Sequence, residues 1–474
     1  MGASLLAGIA RIDTTPPVGI AHANWGAQTH QRAAGIDLPL WASALALSDG
    51  DQTTVIVDID IIGIRERHPD AAHVRELVAE RTGLPISHIR TSYTHTHSGP
   101  TVATGRASWT TEGTEMSDSY LDQLGYKIAG VAWEAIQNMQ PVKIQAGSGE
   151  SNVAVNRRYQ RPDDNVMIVG RNWDGVVDRE VKLVRIDTES DEPLAAIVNY
   201  ACHPITVGPD GDRITPDYPG VVKRVVEETT GALCLFLQGA TGDIGPIRGG
   251  ARNGLNEYHR LGQMLGLEAA KVWWETENPP RGEEYVGTLE SGAPLAMYRE
   301  EEIEPGPKSS MLRVGVREMQ LPVKQFRPAD ELEAEFQEHF AELNRLREEG
   351  GSEEEIRQQT MLCKRSSMRA SLSRQNEGQT HRPLQAQAFV LGDDIALVNI
   401  PGEPFISIGL GIKARSPFKH TLFCGYSNTG GGYIPMAEDY PLGGYEVEVS
   451  PYSEGAAQVV IDECVLLLEE LAGV

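Results

Sequence analysis

Residues 53–64, TTVIVDIDIIGI, form a nearly continuous apolar run of strand length. Such a run predicts a β-strand that is buried on both faces. The next stretch, HPDAAHVRELVAERTG at 68–83, predicts a helix, with Pro69 near its start and Gly83 just past its end. A second strand is predicted over ISHIRTSYTHTH at 86–97. This β-α-β order indicates an α/β fold, in which functional sites gather at the carboxyl ends of strands.

The same scheme recurs along the rest of the chain. PLAAIVNYACHPITV at 193–207 and ALCLFLQGATGDIGP at 232–246 each predict a buried strand that runs into a turn bearing Gly or Pro. A helix is predicted over 118–139, and another begins near Asp217, a plausible N-cap. LQAQAFVLGDDIALVNIPGEP at 384–404 returns to β structure. We expect a single domain over residues 1–474, an α/β fold with a mixed sheet core and flanking helices.

Residues 328–374 have a helical pattern instead. Five apolar side chains recur on one helical face: Leu332, Phe336, Phe340, Leu343 and Leu346. Gly350 and Gly351 interrupt this helix, and Ser352 with Glu355 forms a capping-box signature for a second one. The pattern predicts an antiparallel helical hairpin inserted into the α/β domain. It is either a surface-packed insertion or a lid over a cleft.

Composition limits the kind of partner. The chain has 474 residues and a formal net charge of -25, which disfavours nucleic acid or an anionic membrane as a partner. The five cysteines form no CxxC pair, so buried, reduced thiols are expected. The first residues lack the basic segment of a signal peptide, and no apolar run reaches the roughly 18 residues of a membrane span. We therefore expect a cytoplasmic protein with no transmembrane segment.

Four polar side chains come at or after the ends of predicted strands: His95, His97, His203 and Glu403. Residues i and i+2 of a strand point to the same face, so His95 and His97 would share one space if their strand continues. Neutral imidazole is a good zinc ligand, and a catalytic zinc keeps about three protein ligands. Taken singly, these residues could equally be hydrogen-bonded strand-end or turn residues. Their shared position at strand ends favours an active site.

Two further stretches carry polar and aromatic residues. Residues 425–455 are rich in Gly and include Tyr433, Tyr440 and Tyr445, which spacing alone would assign to loop packing. VNRRY at 155–159 supplies two arginines, Arg157 and Arg158, for which surface salt bridges are the simplest interpretation.

Together these motifs resemble the catalytic N-terminal domain of the neutral/alkaline (non-lysosomal) ceramidases, which are zinc-dependent amidohydrolases. The resemblance covers most of the chain and is carried by the following segments: GIARIDTTPP, LWASALALSDG, THTHSGP, NRR, NYACHPITV, ITPDYPG, LQGATGDIGP, IPGEP and GYIPMAEDYPLGGYE. THTHSGP, which contains both His95 and His97, is the most specific of them.

The resemblance implies one zinc ion per chain with four ligands: His95, His203, Glu403 and Tyr433. It places three other side chains around the scissile amide: His97, Arg157 and Tyr445. Zinc would activate a water molecule and polarise the carbonyl, and Glu403 would relay a proton to the leaving amine. Asp60 and Asp243 are our own suggestions for carboxylates that orient the histidines.

The expected function is zinc-dependent hydrolysis of a carboxamide, a ceramidase-like N-acyl bond, in a small or lipid-like substrate. Two alternatives stay open at this point. The chain could be a zinc hydrolase of an ester, a lactone or a cyclic amide, or it could be a non-catalytic homologue. Retention of all the matched polar positions disfavours the non-catalytic alternative.

Overall fold

The computed structural model describes residues 5–22, 24–25, 27–28, 30–64, 69–101, 112–249, 257–278, 281–302 and 311–474. Its strands are β1 (Leu6–Asp13), β2 (Gly35–Ile36), β3 (Trp41–Ser48), β4 (Thr53–Ile59), β5 (Ile89–Tyr93), β6 (Gln140–Glu150), β7 (Ala154–Gln160), β8 (Met167–Asn172), β9 (Glu180–Thr188), β10 (Pro193–Tyr200), β11 (Arg213–Ile214), β12 (Leu233–Gln238), β13 (Ile244–Pro246), β14 (Arg281–Leu289), β15 (Leu295–Glu302), β16 (Leu312–Pro322), β17 (His381–Leu391), β18 (Ile395–Asn399), β19 (Glu403–Pro404), β20 (His420–Cys424) and β21 (Tyr433–Ile434). Its α-helices are α1 (Pro69–Thr82), α2 (Ser117–Gln137), α3 (Asp217–Thr230), α4 (Glu257–Glu275), α5 (Ala329–Glu348), α6 (Glu353–Asn376), α7 (Ile406–Arg415), α8 (Tyr445–Glu448) and α9 (Ala456–Ala472).

Two mixed sheets form the centre of the molecule. The larger has the strand order β12-β10-β9-β6-β1-β3-β4-β5, and the smaller has the order β16-β17-β18-β20. In each sheet most neighbours are antiparallel, while β4–β5, β10–β12 and β18–β20 are parallel pairs. The predicted mixed-sheet α/β fold is confirmed.

The two sheets pack face to face, with helices on their outer sides. Along β3, Leu45 and Leu47 join an apolar cluster with Phe389 and Leu422 of the smaller sheet. The alternate residues of β3 face the cluster that contains α1 and α2. Alternate side chains of β3 therefore pack into two different apolar clusters, so the strand is buried on both faces. A strand buried in this way has a nearly continuous apolar sequence. Helices α3 and α4 pack near β12 and β9, and α9 packs on β16.

The larger sheet curls, so that its two edge strands come together. The Gln238 side chain at the end of β12 donates to the carbonyl of Thr94, just after β5, at 3.3 Å. Asp58 of β4 accepts from the main-chain N–H of Phe236 in β12 at 3.1 Å. The Nζ of Lys223 in α3 lies 3.1 Å from Asp58. These contacts bring the turn after β5 next to the turns after β10 and β12.

The predicted helical hairpin is also confirmed. Helices α5 and α6 pack through Phe336, Leu343 and Cys363, and the capping box between Ser352 and Glu355 starts α6. The hairpin is inserted between β16 and β17, which pair along their whole length up to Pro322 opposite His381. It therefore extends from the end of a regular β-ladder.

Two expectations from composition concern the chain as a whole. All five cysteines are buried and unpaired, as expected. Across the residues that the structure describes, the helices are too short or too polar to cross a membrane.

Candidate metal centre and catalytic site

The turn after β5 brings His95 and His97 to one space by a route that differs from the predicted one. The expected strand over 86–97 is wrong at both ends, because Ile86–His88 form a 3₁₀ turn and β5 ends at Tyr93. His95 has a φ of 66°, the left-handed conformation that a non-glycine residue rarely adopts. The chain therefore turns at His95, and the two imidazole rings meet edge to face with centroids 5.1 Å apart.

His203 completes a cluster of three histidines. It follows β10, and its ring lies 4.7 Å from that of His95 and 5.2 Å from that of His97. The Nε2 atoms of His97 and His203 are 3.1 Å apart. In the described part of the chain, His95, His97 and His203 form a group of three whose ligand atoms all lie within 4.8 Å of one another.

Main-chain carbonyls fix the orientation of all three rings. Each Nδ1 faces one such oxygen: that of Ile62 at 2.5 Å from His95, that of Asn24 at 3.2 Å from His97, and that of Thr241 at 3.3 Å from His203. A carbonyl can only accept a hydrogen bond, so we assign the ring hydrogen to Nδ1 and the lone pair to Nε2. The Nε2 lone pairs are thereby turned toward the centre of the cluster.

The environment also favours neutral imidazole. Burial lowers the pKa of His97 to about 4, and the nearby positive charge of Arg157 acts in the same direction. Burial, followed by Arg157, lowers the pKa of His203 well below its ordinary value. Neutral imidazoles are the form that binds metal ions.

Glu403 and Tyr433 lie side by side next to the histidines. They pair across the short parallel ladder between β19 and β21. A carboxylate oxygen of Glu403 is 3.7 Å from His95 Nε2. This ladder needs a close approach of two backbones, since a Cβ on Gly431 would lie 2.9 Å from main-chain atoms of Gly402. Three of the four predicted ligands, His95, His203 and Glu403, thus lie together.

Tyr433 is held by Arg157. The guanidinium donates to the Tyr433 hydroxyl at 3.0 Å and lies over its ring, with 5.5 Å from the Arg157 Cζ to the ring centroid. Burial, followed by the charge of Glu403, raises the pKa of Tyr433 well above its ordinary value. The roles assigned to these residues by resemblance stay predictions.

A buried carboxylate anchors the two arginines. Glu446 is 2% exposed and accepts from Arg157 Nε at 2.8 Å and from Arg158 at 3.2 Å. Although burial opposes the charged form, Tyr433 and Glu446 raise the pKa of Arg157 well above its ordinary value. The simple interpretation of Arg157 and Arg158 as surface salt bridges is wrong, since both are almost fully buried. Apart from its position next to Tyr445, no feature of the sequence indicated a role for Glu446.

Tyr445 lies at the outer side of this group. It is the first residue of α8, its ring centroid is 5.8 Å from that of Tyr433, and it is 41% exposed. Tyr440 instead donates to the carbonyl of Tyr452 at 2.9 Å, which fits the loop-packing role expected from spacing.

Tyr426 is a site residue that the sequence did not point to. Its ring lies 4.3 Å from that of His95, and its hydroxyl lies 3.3 Å from His203 Nδ1. The same hydroxyl accepts from Thr241 at 2.6 Å and donates to Glu403 at 3.4 Å. Tyr426 therefore packs on His95 and, through its hydroxyl, links His203 to the carboxylate of Glu403.

The two aspartates suggested for orienting the histidines bind elsewhere. Asp243 accepts from the main-chain N–H of Ile406, where α7 begins, and from Asn156. Asp60 accepts from Lys223 at 2.7 Å and from the main-chain N–H of Trp41. Main-chain carbonyl oxygens and Tyr426 contact the histidines in place of these two carboxylates.

Comparison with known proteins gives the family. Residues 5–252, more than half of the chain, match the family described as neutral/alkaline non-lysosomal ceramidase, N-terminal. The chain belongs to this family. The matched segment contains His95, His97, Arg157 and His203. The later site residues lie beyond it.

Individual relatives are distant. The chain is 26% identical over 187 residues to neutral ceramidase B of Dictyostelium discoideum, covering 37% of this chain and 26% of that protein. It is 23% identical over 275 residues to the neutral ceramidase of Pseudomonas aeruginosa, covering 55% of this chain and 40% of that protein. The segments aligned by sequence thus span less than half the length of these curated relatives.

Solved ceramidase structures share the fold. The crystal structure of the Pseudomonas aeruginosa neutral ceramidase superposes with a TM-score of 0.70 at 19% identity, covering 99% of this chain and 75% of that one. A ceramidase structure described as complexed with C2 superposes with a TM-score of 0.65 at 18% identity, covering 99% of this chain and 76% of that one.

Proposed function

We propose that the protein is a zinc-dependent amidohydrolase that cleaves the N-acyl bond of a ceramidase-like, small or lipid-like amide. The observation that carries this proposal is the convergence of three imidazoles beside the carboxylate of Glu403. Membership of the ceramidase family supports the choice of an amide as the bond that is cleaved.

The donor set fits a divalent metal. Two Nε2 lone pairs 3.1 Å apart repel each other unless a cation or a proton lies between them. Imidazole nitrogens with one carboxylate oxygen are ligands that zinc accepts in catalytic sites. His95, His203, Glu403 and Tyr433 would hold the ion. His97 Nε2 is equally well placed as a donor, so its proposed role at the scissile group needs its own test.

When bound, zinc would supply a Lewis acid and lower the pKa of a water molecule toward neutrality. The chain itself supplies the other groups. Attack of water on the amide carbon places negative charge on the carbonyl oxygen, and Arg157 and the Tyr445 hydroxyl would donate to it. Losing one such donor typically costs about 10²–10³ in turnover. Glu403 would take the proton of the attacking water and deliver it to the amine nitrogen as the C–N bond breaks.

The fixed position of Arg157 suits this role. The carboxylate of Glu446 accepts from Arg157 Nε, while Arg157 Nη2 donates to the hydroxyl of Tyr433. A guanidinium held in place before the reaction needs no reorganisation when charge develops on the substrate.

The test combines metal analysis with a matched pair of substrates. We expect the purified protein to bind about one zinc per chain, and His95→Ala and His203→Ala to lose it. His88→Ala is the control, because His88 lies in the same segment and its Nδ1 contacts the carbonyl of Thr53 instead. Retention of stoichiometric zinc by both His95→Ala and His203→Ala would overturn the metal assignment.

The bond that is cleaved is tested separately. An N-acyl amide and the ester with the same acyl group are compared on the wild-type protein and on Glu403→Gln. Amide hydrolysis that falls strongly in Glu403→Gln supports the proposal. Hydrolysis of the ester with none of the amide would replace it by the esterase or lactonase alternative.

A His97→Ala variant separates the two roles open to that residue. Zinc content that stays near one per chain while turnover falls supports substrate contact. Loss of zinc would make His97 a ligand.

A further inference from the structure

The α5–α6 hairpin contacts the site on two sides. Helix α6 reaches the loop that packs on His97, and it also reaches α8, which begins with Tyr445. These two contacts use different faces of one helix, because residues 364 and 365 point about 100° apart while residues 365 and 369 lie on the same face.

The first contact passes through Trp25. Lys364 is 8% exposed, and its ammonium donates to the main-chain carbonyl of Trp25 at 3.0 Å. The indole of Trp25 lies against the imidazole of His97, with ring centroids 5.2 Å apart. The preceding residue, Asn24, provides the carbonyl that faces His97 Nδ1. Lys364 thus fixes the backbone that both orients His97 and carries its aromatic neighbour.

The second contact passes through Glu448, at the end of α8. Its carboxylate lies 2.9 Å from Arg365 and 3.2 Å from Arg369, both in α6. Lys324, just after β16, donates to the carbonyls of Val447 and Glu448 at 2.9 and 2.8 Å. These bonds hold the short helix on which Tyr445 stands.

We propose that the α5–α6 hairpin is a wall of the catalytic site, in which Lys364 positions Trp25 against His97 and determines how an acyl group is held. This inference rests on the proposed amidohydrolase function and extends it to substrate specificity. Trp25 fills the side of His97 that faces α6, whereas Tyr445 packs on Tyr433 and is partly exposed. Substrate would therefore enter past Tyr445 and pack its acyl group between the two aromatic residues.

The Lys364→Met variant tests this proposal, because methionine keeps the approximate shape of the lysine side chain but cannot donate the hydrogen bond to the carbonyl of Trp25. Because the loss of this bond would release the backbone that carries Trp25, KM for an N-acyl amide should rise about tenfold while kcat changes less. Lys364→Arg, which can still donate, should restore most of the loss. Arg374→Gln is the control, because Arg374 belongs to the same helix and pairs with Glu333 of the neighbouring helix.

A second measurement does not depend on catalysis. With 5-fluorotryptophan incorporated, the ¹⁹F resonance of Trp25 is assigned by its loss in Trp25→Phe. We expect Lys364→Met to shift and broaden this resonance, and Arg374→Gln to leave it unchanged.

The outcomes separate the two proposals. A Trp25 resonance that is the same in the wild type and in Lys364→Met would overturn the proposal that the hairpin is a wall of the site, whatever the activity of the two proteins. A shifted resonance with no hydrolysis of any amide by the wild type supports the positioning of Trp25 and counts against the proposed function. An unchanged KM in an active Lys364→Met enzyme overturns the role in specificity.

Discussion

Glu446 is the most informative position for testing how the site is supported. Glu446→Gln keeps the size of the side chain and one acceptor oxygen, but it removes a negative charge that is 2% exposed. Arg157 then loses its carboxylate partner, while Arg158 keeps Asp439 at 2.9 Å. Removing one partner of a buried ion pair costs about 3–5 kcal/mol. Because glutamine can still accept one hydrogen bond and Arg158 keeps a second partner, we expect about 3 kcal/mol.

The matched control is Glu448→Gln, two residues along the same helix. Glu448 is much more exposed and also contacts two arginines, Arg365 and Arg369. Exposed pairs contribute about 0–1 kcal/mol each, so this variant should lose far less stability. Unfolding in urea, followed by circular dichroism in the presence of a chelator, compares the two variants without a contribution from bound metal.

The assay also has a catalytic arm. Without Glu446, the guanidinium of Arg157 is no longer held on its Nε side, so turnover should fall even where the protein is fully folded. Equal losses of stability in Glu446→Gln and Glu448→Gln would refute the reasoning from burial. Full turnover in folded Glu446→Gln would refute the claim that Glu446 positions Arg157.

Three further predictions test other parts of the site. Gly431→Ala should weaken zinc binding, because the new Cβ would push the Glu403 and Tyr433 turns apart. Gly130→Ala is the control, because the space around Gly130 is open, and it should not weaken zinc binding. A competition titration with a chelator measures the zinc affinity of both variants. Tyr426→Phe removes the hydroxyl that links His203 to Glu403 and should lower zinc affinity about 10–100-fold in the same titration. An unchanged zinc affinity would contradict this prediction. Burial raises the pKa of Asp243 to about 7, so the folded state binds its proton more tightly than the unfolded state. Stability from this group therefore rises as pH falls below 7, and the free energy of unfolding of the wild type relative to Asp243→Asn should increase by about 2 kcal/mol between pH 7 and pH 5. A difference that stays flat over this range would contradict the raised pKa.

Local sequence patterns predicted much of the fold. The β-α-β unit after residue 53 and the two-helix insertion follow from periodicity and turn residues, and the positions of His95, His97, His203 and Glu403 after predicted strands favoured a shared site. Periodicity reports which faces are buried, and strand ends report where polar side chains can meet. Both signals lie within a few residues of the feature that they predict.

The parts that sequence did not predict depend on contacts between distant segments. Arg157 and Glu446 are 289 positions apart, and only the folded chain shows that each neutralises the other in the interior. The left-handed turn at His95 is similar, since nothing in THTHSGP requires a strand to end at Tyr93. Tyr426 belongs to the site because the turn after β20 folds over the histidines, and a tyrosine in a loop carries no mark of that.

The order of the proposed metal ligands along the chain has a consequence for biosynthesis. His203 and Glu403 are separated by roughly 200 residues, which a ribosome adds in about 10–40 s at ~5–20 residues per second. The three histidines therefore leave the ribosome well before the carboxylate that joins them. During that interval the nascent chain would already present the nitrogen ligands of the proposed zinc site, without its carboxylate. Metal supply during translation, and not only the affinity of the finished site, would then influence which ion the proposed site takes up.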